Sequence, residues 1–218
     1  MIKLVVSDMD GTLLKRGEKF ISDSINNIIN NIKSKGITFA IASGRQYSEL
    51  DLITKGMRDI YYICSDGGCI IYNEEVIYKK EIDQASLKNL VRNENVFFHS
   101  PFETSKGYLI NNIIKISAHG GGFFETPFGT YEVYRDKEWR EWIKKGAGKG
   151  QAVEFLQKKL NISVNETAAF GDNFNDMGMF RKSGERYCMK SAPNQVKMLC
   201  NNTVDNIEKS LSELGGKK

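Results

Sequence analysis

The sequence has few nitrogen and sulfur side chains of the kind that hold zinc, and it has no long apolar run. It contains two histidines and four cysteines. The cysteines form no Cys-x-x-Cys pair and have no histidine at zinc-ligand spacing, so we predict reduced, mostly buried thiols. No apolar stretch approaches the length of a membrane span, and the N-terminal residues do not resemble a signal peptide. We therefore expect no membrane association and a cytoplasmic location.

The chain also lacks a strong charge of either sign. Lys and Arg number 31 and Asp and Glu number 27, which gives a formal net charge of +4. The basic residues are scattered rather than clustered, so nucleic-acid binding receives little support. A small anionic substrate fits this charge equally well. With 218 residues, the chain can form one good core and a smaller second domain.

The segment after the apolar run Ile2–Val6 contains the first candidate site. This β-branched run predicts a buried strand. Residues two apart at the end of a strand point to the same side, so Asp8 and Asp10 can face one reacting centre. One carboxylate can attack as a nucleophile while the other moves protons; Gly11 permits a turn, and Thr12 adds a hydroxyl. The alternative is an Asx-turn that closes the strand.

A helix and a second strand follow this segment. The helix is predicted to begin after Ser22 and to end at Gly36, and the strand is Ile37–Ala42. The inward stripe of the helix consists of Ile25, Ile28, Ile29 and Ile32. A right-handed parallel unit of this kind brings the end of the second strand close to Asp8.

Ser43, Gly44 and Arg45 follow the second strand and precede a predicted helix, Gln46–Thr54. The Ser43 hydroxyl and the Gly44 N–H can donate to phosphoryl oxygens. Arg45 could clamp an anionic substrate or could lie on the surface. A Ser-Gly pair is also common turn chemistry, so this segment alone is a weak signal.

Lys149 stands between glycines just before a predicted helix, Gln151–Leu160. The segment is not a P-loop, because the spacing differs and no Ser or Thr follows the lysine. A lysine at a helix N-terminus is electrostatically unfavourable unless a phosphoryl group or carboxylates lie nearby. The alternative is an exposed lysine.

A second acidic segment follows the predicted strand Thr167–Phe170. Asp172 and Asp176, with Asn175 beside the second carboxylate, open a helix at the end of this strand. Hard oxygen ligands of this kind suit Mg²⁺. The alternative is an acidic helix cap, which explains one carboxylate well but not the whole pattern.

Residues 67–146 differ in composition from the rest of the chain. Short strand-like runs rich in aromatic residues and broken by glycine predict a small α+β insert. Its aromatic residues could close over a site as a lid, or could form the core of the insert. The two histidines, His99 and His119, lie in this segment, and we leave both out of the candidate site.

Together these segments resemble the four motifs of the haloacid dehalogenase superfamily, in its Cof-type branch with a cap domain. The motifs are Asp-x-Asp-Gly-Thr-Leu at Asp8, a Ser at the end of the second strand, a Lys opening the helix after the insert, and Gly-Asp-x-x-Asn-Asp at Asp172. The resemblance implies an α/β fold, with a doubly wound parallel-sheet, Rossmann-like core and a small inserted α+β cap. Residues 1–66 and 147–218 would form the core, and 67–146 the cap. Asp66 and Ser191 replace asparagines usual in this branch.

The resemblance also implies a role for each candidate residue. Asp8 would be the nucleophile and Asp10 the acid and base. Mg²⁺ would be bound by Asp8 and Asp172, with Asp10 contributing its backbone carbonyl. The phosphoryl group would be held by Ser43, Gly44, Lys149 and Asn175, with supporting roles for Thr12, Arg45 and Asp176. Because a carboxylate that attacks a phosphate dianion faces strong repulsion, the reaction needs the positive charge of Mg²⁺ and Lys149.

We therefore predict a Mg²⁺-dependent phosphatase of small phosphorylated metabolites, with sugar phosphates as the leading class, that acts as a monomer or homodimer. Two alternatives remain open from the sequence. One is a phosphomutase related to phosphomannomutases, which would release no net phosphate. The other is a sensor that binds a phosphorylated ligand without turnover, although such a protein has no need of a nucleophile.

Overall fold

The computed structural model describes residues 1–120 and 124–216, which contain two β-sheets and helices on both faces of the larger one. In chain order the elements are β1 (Leu4–Asp8), α1 (Asp23–Ser34), β2 (Thr38–Ala42), α2 (Tyr47–Ile53), β3 (Tyr61–Cys64), β4 (Cys69–Tyr72), β5 (Glu75–Lys79), β6 (Val96–His99), β7 (Thr104–Lys106), β8 (Lys115–His119), β9 (Thr130–Arg135), β10 (Trp139–Lys144), α3 (Lys149–Leu160), β11 (Thr167–Gly171), α4 (Met177–Phe180), β12 (Glu185–Met189), α5 (Asn194–Lys197), β13 (Asn202–Val204) and α6 (Ile207–Gly216).

The larger sheet has eight strands in the order β13-β12-β11-β1-β2-β3-β4-β5. The strands from β13 to β3 run parallel, whereas β4 and β5 are antiparallel to their neighbours. The chain order reverses on either side of β1, and such a switch point is where open α/β sheets bind ligands. The predicted doubly wound α/β core is therefore confirmed.

Strand β1 is buried on both faces, which explains its uninterrupted apolar segment Leu4–Val6. Val5 packs with α1, α2 and α6 in one core cluster. Leu4 and Val6 point to the opposite face and pack with α3, α4 and α5 in a second cluster. The strand runs through Asp8, two residues further than the sequence predicted. The nucleophile candidate is thus the last residue of the central strand.

Helix α1 shows the predicted cap and stripe. The Ser22 Oγ accepts a hydrogen bond from the Ile25 N–H at 3.2 Å. Ile25, Ile29 and Ile32 are buried, while Ile28 is partly buried against the same cluster.

Across the described ranges, 1–120 and 124–216, every helix is too short or too polar to cross a lipid bilayer.

The smaller sheet has five antiparallel strands in the order β7-β6-β8-β10-β9. One face of this sheet packs against the short 3₁₀-helix Gln84–Leu90. Phe98, Ile116 and Trp142 are fully buried in the cluster that results. Of the aromatic residues here, Phe98, Trp142 and the partly buried Phe124 belong to the insert's own core, whereas the exposed ones include Phe102, Tyr108, Phe128, Tyr131 and Tyr134. The sequence places β4 and β5 at the start of the insert, but β4 pairs with β3 in the larger sheet and β5 pairs with β4. The division of the chain at 66/67 and 146/147 stays a prediction.

Candidate active site

The register of the larger sheet brings three of the predicted segments together. Asp8 lies opposite Ala42 on β2, so Ser43 continues beside it. Ser7 lies opposite Phe170 on β11, so the loop that begins at Asp172 lies on the other side. Parallel strands end at the same edge of a sheet, and these side chains therefore meet at the carboxyl edge.

Lys149 is the charged centre of this edge. Its Nζ lies 2.6 Å from Asp8 Oδ1 and 2.7 Å from Asp176 Oδ1, and the lysine side chain is fully buried. Burial acts to lower the pKa of Lys149, but the charges of Asp176 and Asp8 outweigh it and raise the pKa. Lys149 is the first residue of α3, and these carboxylates offset the unfavourable position of a cation there.

Asp176 holds the neighbouring loop as well as the lysine. Its Oδ2 accepts hydrogen bonds from the backbone N–H groups of Asp172 at 2.9 Å and Asn173 at 3.0 Å, while its Oδ1 accepts from Lys149. Both oxygens are therefore engaged within the protein. These contacts fit the supporting role that the resemblance implies for Asp176, in orienting Lys149 and the loop rather than in coordinating a metal directly.

Three carboxylates cluster around a position suited to a divalent cation. One oxygen each from Asp8, Asp172 and Asp176 lie within 4.8 Å of one another. Burial raises the pKa of Asp8 well above its usual range, with Lys149 opposing this and Asp176 reinforcing it. Burial, together with the charge of Asp176, raises the pKa of Asp172 to about 6. Lys149 is one positive charge among three carboxylates, and the oxygens of Asp8 and Asp172 fit a hard cation such as Mg²⁺.

Gly11 makes room for this cluster. Its φ is +83°, and a Cβ at this position would lie 2.5 Å from Asp172 Oδ2. A side chain here would both strain the turn and displace the carboxylate. Glycine is therefore favoured at position 11 for two reasons: the positive φ of the turn, and the short distance to the Asp172 carboxylate.

The Asp10 carboxylate is paired with Arg45 rather than with Lys149. The Arg45 Nε and one terminal nitrogen donate to the two Asp10 oxygens, each at 2.8 Å. This bidentate pair is half exposed and lies on the cavity wall. The sequence left open whether Arg45 clamps a substrate or lies on the surface; in this structure it holds Asp10.

The predicted phosphoryl-binding residues lie around the same opening. Ser43 is buried, and its Oγ accepts from the Arg45 N–H at 3.2 Å. Gly44 and Asn175 line the cavity, and the Asn175 Nδ2 donates to Asp66 Oδ1 at 3.1 Å. Thr12 is also buried, and its Oγ1 has no hydrogen-bond partner within the described ranges.

A cavity of about 800 Å³ connects this edge to the smaller sheet. Its floor includes Asp8 and Asp172, Asp10 lies on the wall beside them, and the smaller sheet contributes the opposite wall. That wall consists of His99, Lys115, Val133, Tyr134, Arg135 and Glu141. Burial, assisted by the charge of Lys115, lowers the pKa of His99 to about 4, so its imidazole is neutral at pH 7.

Residues 5–120 and 124–210 match the haloacid dehalogenase-like hydrolases. The chain belongs to this family. The match confirms the resemblance to the superfamily and its Cof-type branch that the sequence motifs predicted.

The relatives and structural neighbours of this haloacid dehalogenase-like hydrolase span almost the whole chain. A phosphoglycolate phosphatase from Metallosphaera sedula is 25% identical over 207 residues, covering 90% of this chain and 89% of the relative. BT1666 of Bacteroides thetaiotaomicron, described among the phosphatases of the superfamily, has a TM-score of 0.82 at 20% identity, covering 99% and 96% of the two chains. A haloacid dehalogenase-like hydrolase from B. subtilis has a TM-score of 0.80 at 20% identity, covering 99% of each chain.

Sequence reasoning left open a lid formed by the insert, but it did not identify the residues of the smaller sheet that line the cavity of this hydrolase. Lys115 and Glu141 lie on separate strands of that sheet, and the Lys115 amine contacts both Glu141 and Asp66 of the larger sheet's turn. No local motif marks either residue, because their partners are distant in the chain. The only sequence signal was the replacement of the usual asparagine by Asp66, a carboxylate that requires a partner if buried.

Proposed function

We propose that this protein is a Mg²⁺-dependent phosphatase that hydrolyses small phosphorylated metabolites through an aspartyl-phosphate on Asp8. That the chain is a phosphoric monoester hydrolase follows from its family and from the phosphatases among its relatives. The observation that carries the finer proposal is the buried Lys149, whose Nζ joins Asp8 to Asp176 at the floor of an open cavity. A binding protein would not require a buried, lysine-paired carboxylate at that point.

Asp8 is positioned to act as the nucleophile. Lys149 holds Oδ1 of Asp8, which leaves Oδ2 to attack the phosphorus atom. The new oxygen–phosphorus bond forms as the bond to the leaving oxygen breaks, and the leaving oxygen takes a proton. Water then attacks the aspartyl-phosphate, which returns Asp8 as a carboxylate and releases phosphate. Splitting the reaction in this way replaces one difficult step with two easier ones.

Asp10 is the group proposed to move the protons. Its carboxylate lies on the cavity wall, where Arg45 holds it with two hydrogen bonds. For the first step it would have to be protonated: the carboxylic acid would give its proton to the leaving oxygen, and the carboxylate so formed would take one from the attacking water. The protons balance over the two steps, because Asp10 ends in the protonation state in which it began.

Mg²⁺ would be held by Asp8 and Asp172, with the Asp10 carbonyl as the third protein ligand that the family resemblance implies. When bound, the cation would neutralise charge on the phosphoryl oxygens and so reduce their repulsion of Asp8. Asp176 and Lys149 fix the loop and the nucleophile around that position. The Ser43 hydroxyl, the Gly44 N–H and Asn175 would orient the phosphoryl group.

The cavity supports a leaving group larger than the two-carbon acid carried by phosphoglycolate, the substrate in the name of the Metallosphaera sedula relative. Its volume of about 800 Å³ lies toward the upper end of ordinary small-molecule sites. The lining of the cavity combines hydrogen-bonding and charged groups with Tyr134 and Phe174. Such a lining suits a hydroxyl-rich ring, so sugar phosphates are the proposed class.

Phosphate release from a panel of phosphorylated metabolites and an aryl phosphate tests this proposal. We expect release with Mg²⁺ and none with a chelator, and a loss of at least about a thousandfold in Asp8→Asn. Substantial turnover by that variant would contradict the role of Asp8. Conversion of a sugar phosphate to its isomer without net release would instead indicate a mutase. Ligand binding without any turnover would indicate a sensor.

A further inference from the structure

Lys115 is a buried amine that the smaller sheet inserts into the turn beside the active site. Its Nζ lies 2.6 Å from Glu141 Oε2 and 3.3 Å from Asp66 Oδ2, and it donates to the carbonyl of Gly44 at 3.0 Å. Only 4% of the residue is exposed. A buried cation with three oxygen partners is a costly arrangement unless all its partners remain in place.

Asp66 is the link between this amine and the phosphoryl-binding residues. The residue adopts a left-handed φ of 55° and is buried. Burial acts to raise its pKa, but the charges of Lys115 and Lys149 and the hydrogen bond from Asn175 outweigh it and lower the pKa. Asp66 is therefore an ionised acceptor whose two oxygens face Lys115 and Asn175.

An ionised carboxylate at this position fixes which way Asn175 faces. A carboxylate accepts hydrogen bonds but donates none, so Asn175 must present its NH₂ group to Asp66. The second N–H of that group then remains for an anionic ligand in the cavity. An asparagine at position 66 would accept either orientation of Asn175 and would fix it less strongly.

The turn that carries Asp66 is itself pressed against the start of α3. A Cβ on Gly67 would lie 2.2 Å from the backbone of Gly148, and the φ of Gly67 is +90°. This close approach places the Asp66 turn beside Lys149. Lys115 thus contacts the loop of Ser43 and Gly44 directly, at the Gly44 carbonyl. It is connected to the loop of Asn175 by hydrogen bonds through Asp66.

We propose that Lys115 is a positioning residue for the phosphoryl pocket, acting through Asp66 on Asn175, so that the pocket is complete only when the smaller sheet is docked. This inference rests on the proposed function, because it assigns Asn175 to the phosphoryl group. It goes further in naming a residue outside the four motifs as part of the machinery that organises them.

The proposal is tested with Lys115→Gln, Asp66→Asn, the double variant and Lys106→Gln. Lys106 is an exposed lysine of the same sheet, on β7, and serves as the matched control. Two quantities are measured in the presence of Mg²⁺: kcat/KM for the best substrate of the panel, and the Kd for inorganic phosphate by calorimetry. Circular dichroism and the melting temperature report whether each variant is folded.

We expect Lys115→Gln to lower kcat/KM and weaken phosphate binding by about 10-fold to 100-fold, as loss of a group that orients a ligand commonly does. Asp66→Asn should cost about threefold to tenfold, since it keeps the amine paired with Glu141. The double variant should lose less than the product of the two single losses, because the two residues act as one unit. Lys106→Gln should stay within about twofold of the wild type.

The following results would contradict the proposals. Phosphate affinity in Lys115→Gln within twofold of the wild type, or fully independent losses in the double variant, would overturn the proposal. If Lys115→Gln fails to fold, Asp66→Asn decides, and unchanged phosphate affinity in that variant would overturn it. A wild type that binds phosphate but releases none would reject the proposed function, while the binding measurements would still decide the role of Lys115.

Discussion

Asp176 shows how much of this site depends on a side chain whose oxygens are both engaged within the protein. It is fully buried, and its two oxygens hold Lys149 and two backbone N–H groups. Its loss would leave a buried amine with Asp8 as its sole carboxylate partner in the structure as described. Asp176 therefore fixes the position of Lys149 and of the loop that begins at Asp172.

Asp176→Asn should destabilise the fold by about 3 kcal/mol, because it removes one partner of a buried ion pair and can set an NH₂ group against Lys149. Urea unfolding at pH 7 measures the change. The matched control is Asp205→Asn, which breaks the exposed pair with Lys190 and should leave the unfolding midpoint almost unchanged. Equal effects of the two substitutions would contradict the assignment.

Asp172 should make the stability of the metal-free protein depend on pH. Its pKa is raised from 3.8 to about 6 in the fold, so the folded state binds this proton more tightly than the unfolded state does. The stabilisation is therefore fully present below about pH 4 and is lost as the pH rises through about 6. Allowing for solvent screening, it amounts to about 1–2 kcal/mol.

The measurement is urea unfolding in chelator at several pH values between 4 and 7, for the wild type and for Asp172→Asn. The difference in unfolding free energy between the two proteins should change with pH in the direction given above. Parallel curves over this range would show that Asp172 titrates normally in the fold.

At the scale of single residues, the sequence predicted the site residues that belong to short local motifs. Asp8, Lys149 and Asp172 were selected from local patterns, and the structure brings them together. The pairing of Asp10 with Arg45 was not foreseen, because Arg45 had two plausible environments. Lys115 was missed altogether, since a lysine in a strand without a motif gives no sign of a distant carboxylate.

Among the secondary-structure elements, helix α1 offers a direct test of a local signal. Ser22→Ala removes the side-chain acceptor of the Ile25 N–H and should cost about 1 kcal/mol of unfolding free energy. The control is Ser34→Ala at the other end of the helix, where the exposed Oγ donates to the Asn31 carbonyl. Urea midpoints compare the two, and a larger loss at Ser34 would refute the importance of the cap.

The elements of the core were predicted to within a few residues because their signals are local. The period of α1 and the apolar run of β1 each follow from burial on defined faces. Helix α3 begins two residues earlier than predicted, because Lys149 is drawn into its first turn by the carboxylates it contacts. Strand β4 follows β3 through a short turn and pairs with it, and β5 pairs with β4 in the same way. The sequence assigned both strands to the insert because the change in composition begins at residue 67.

For the molecule as a whole, Gln46 is a polar link between the larger and smaller sheets. Its amide nitrogen donates to the carbonyls of Ser100 and Glu103, and its oxygen accepts from Thr104. These partners belong to the hairpin of β6 and β7. The link lies beside Arg45 and so joins the hairpin to the active-site edge.

Gln46→Ala should loosen the attachment of this hairpin without unfolding the core. We expect faster hydrogen exchange in residues 100–106 and a loss of about 1–2 kcal/mol in unfolding free energy. Gln84→Ala, which removes a bond to the Ile110 carbonyl within the insert, is the control and should leave exchange at 100–106 unchanged. No difference in exchange between the two variants would show that the hairpin is held by other contacts.

The sequence predicted the presence of an insert but not which of its residues contact the larger sheet and the candidate site. The change in composition after residue 66 was visible, whereas the docking contacts of Gln46 and Lys115 join residues that are far apart in the chain. Contacts of this kind form only when the two sheets are folded and packed together. No local pattern in a single sequence predicts them.

The central place of β1 has a consequence for synthesis of the protein. Its partner strand β11 lies some 160 residues later in the chain, and the Asp8–Lys149 pair spans 141 residues. At ribosomal rates the first strand therefore waits roughly 10 to 30 seconds for that partner. During this time one hydrophobic strand edge is open to other chains, so chaperone binding to the nascent N-terminal half would protect the yield of folded enzyme.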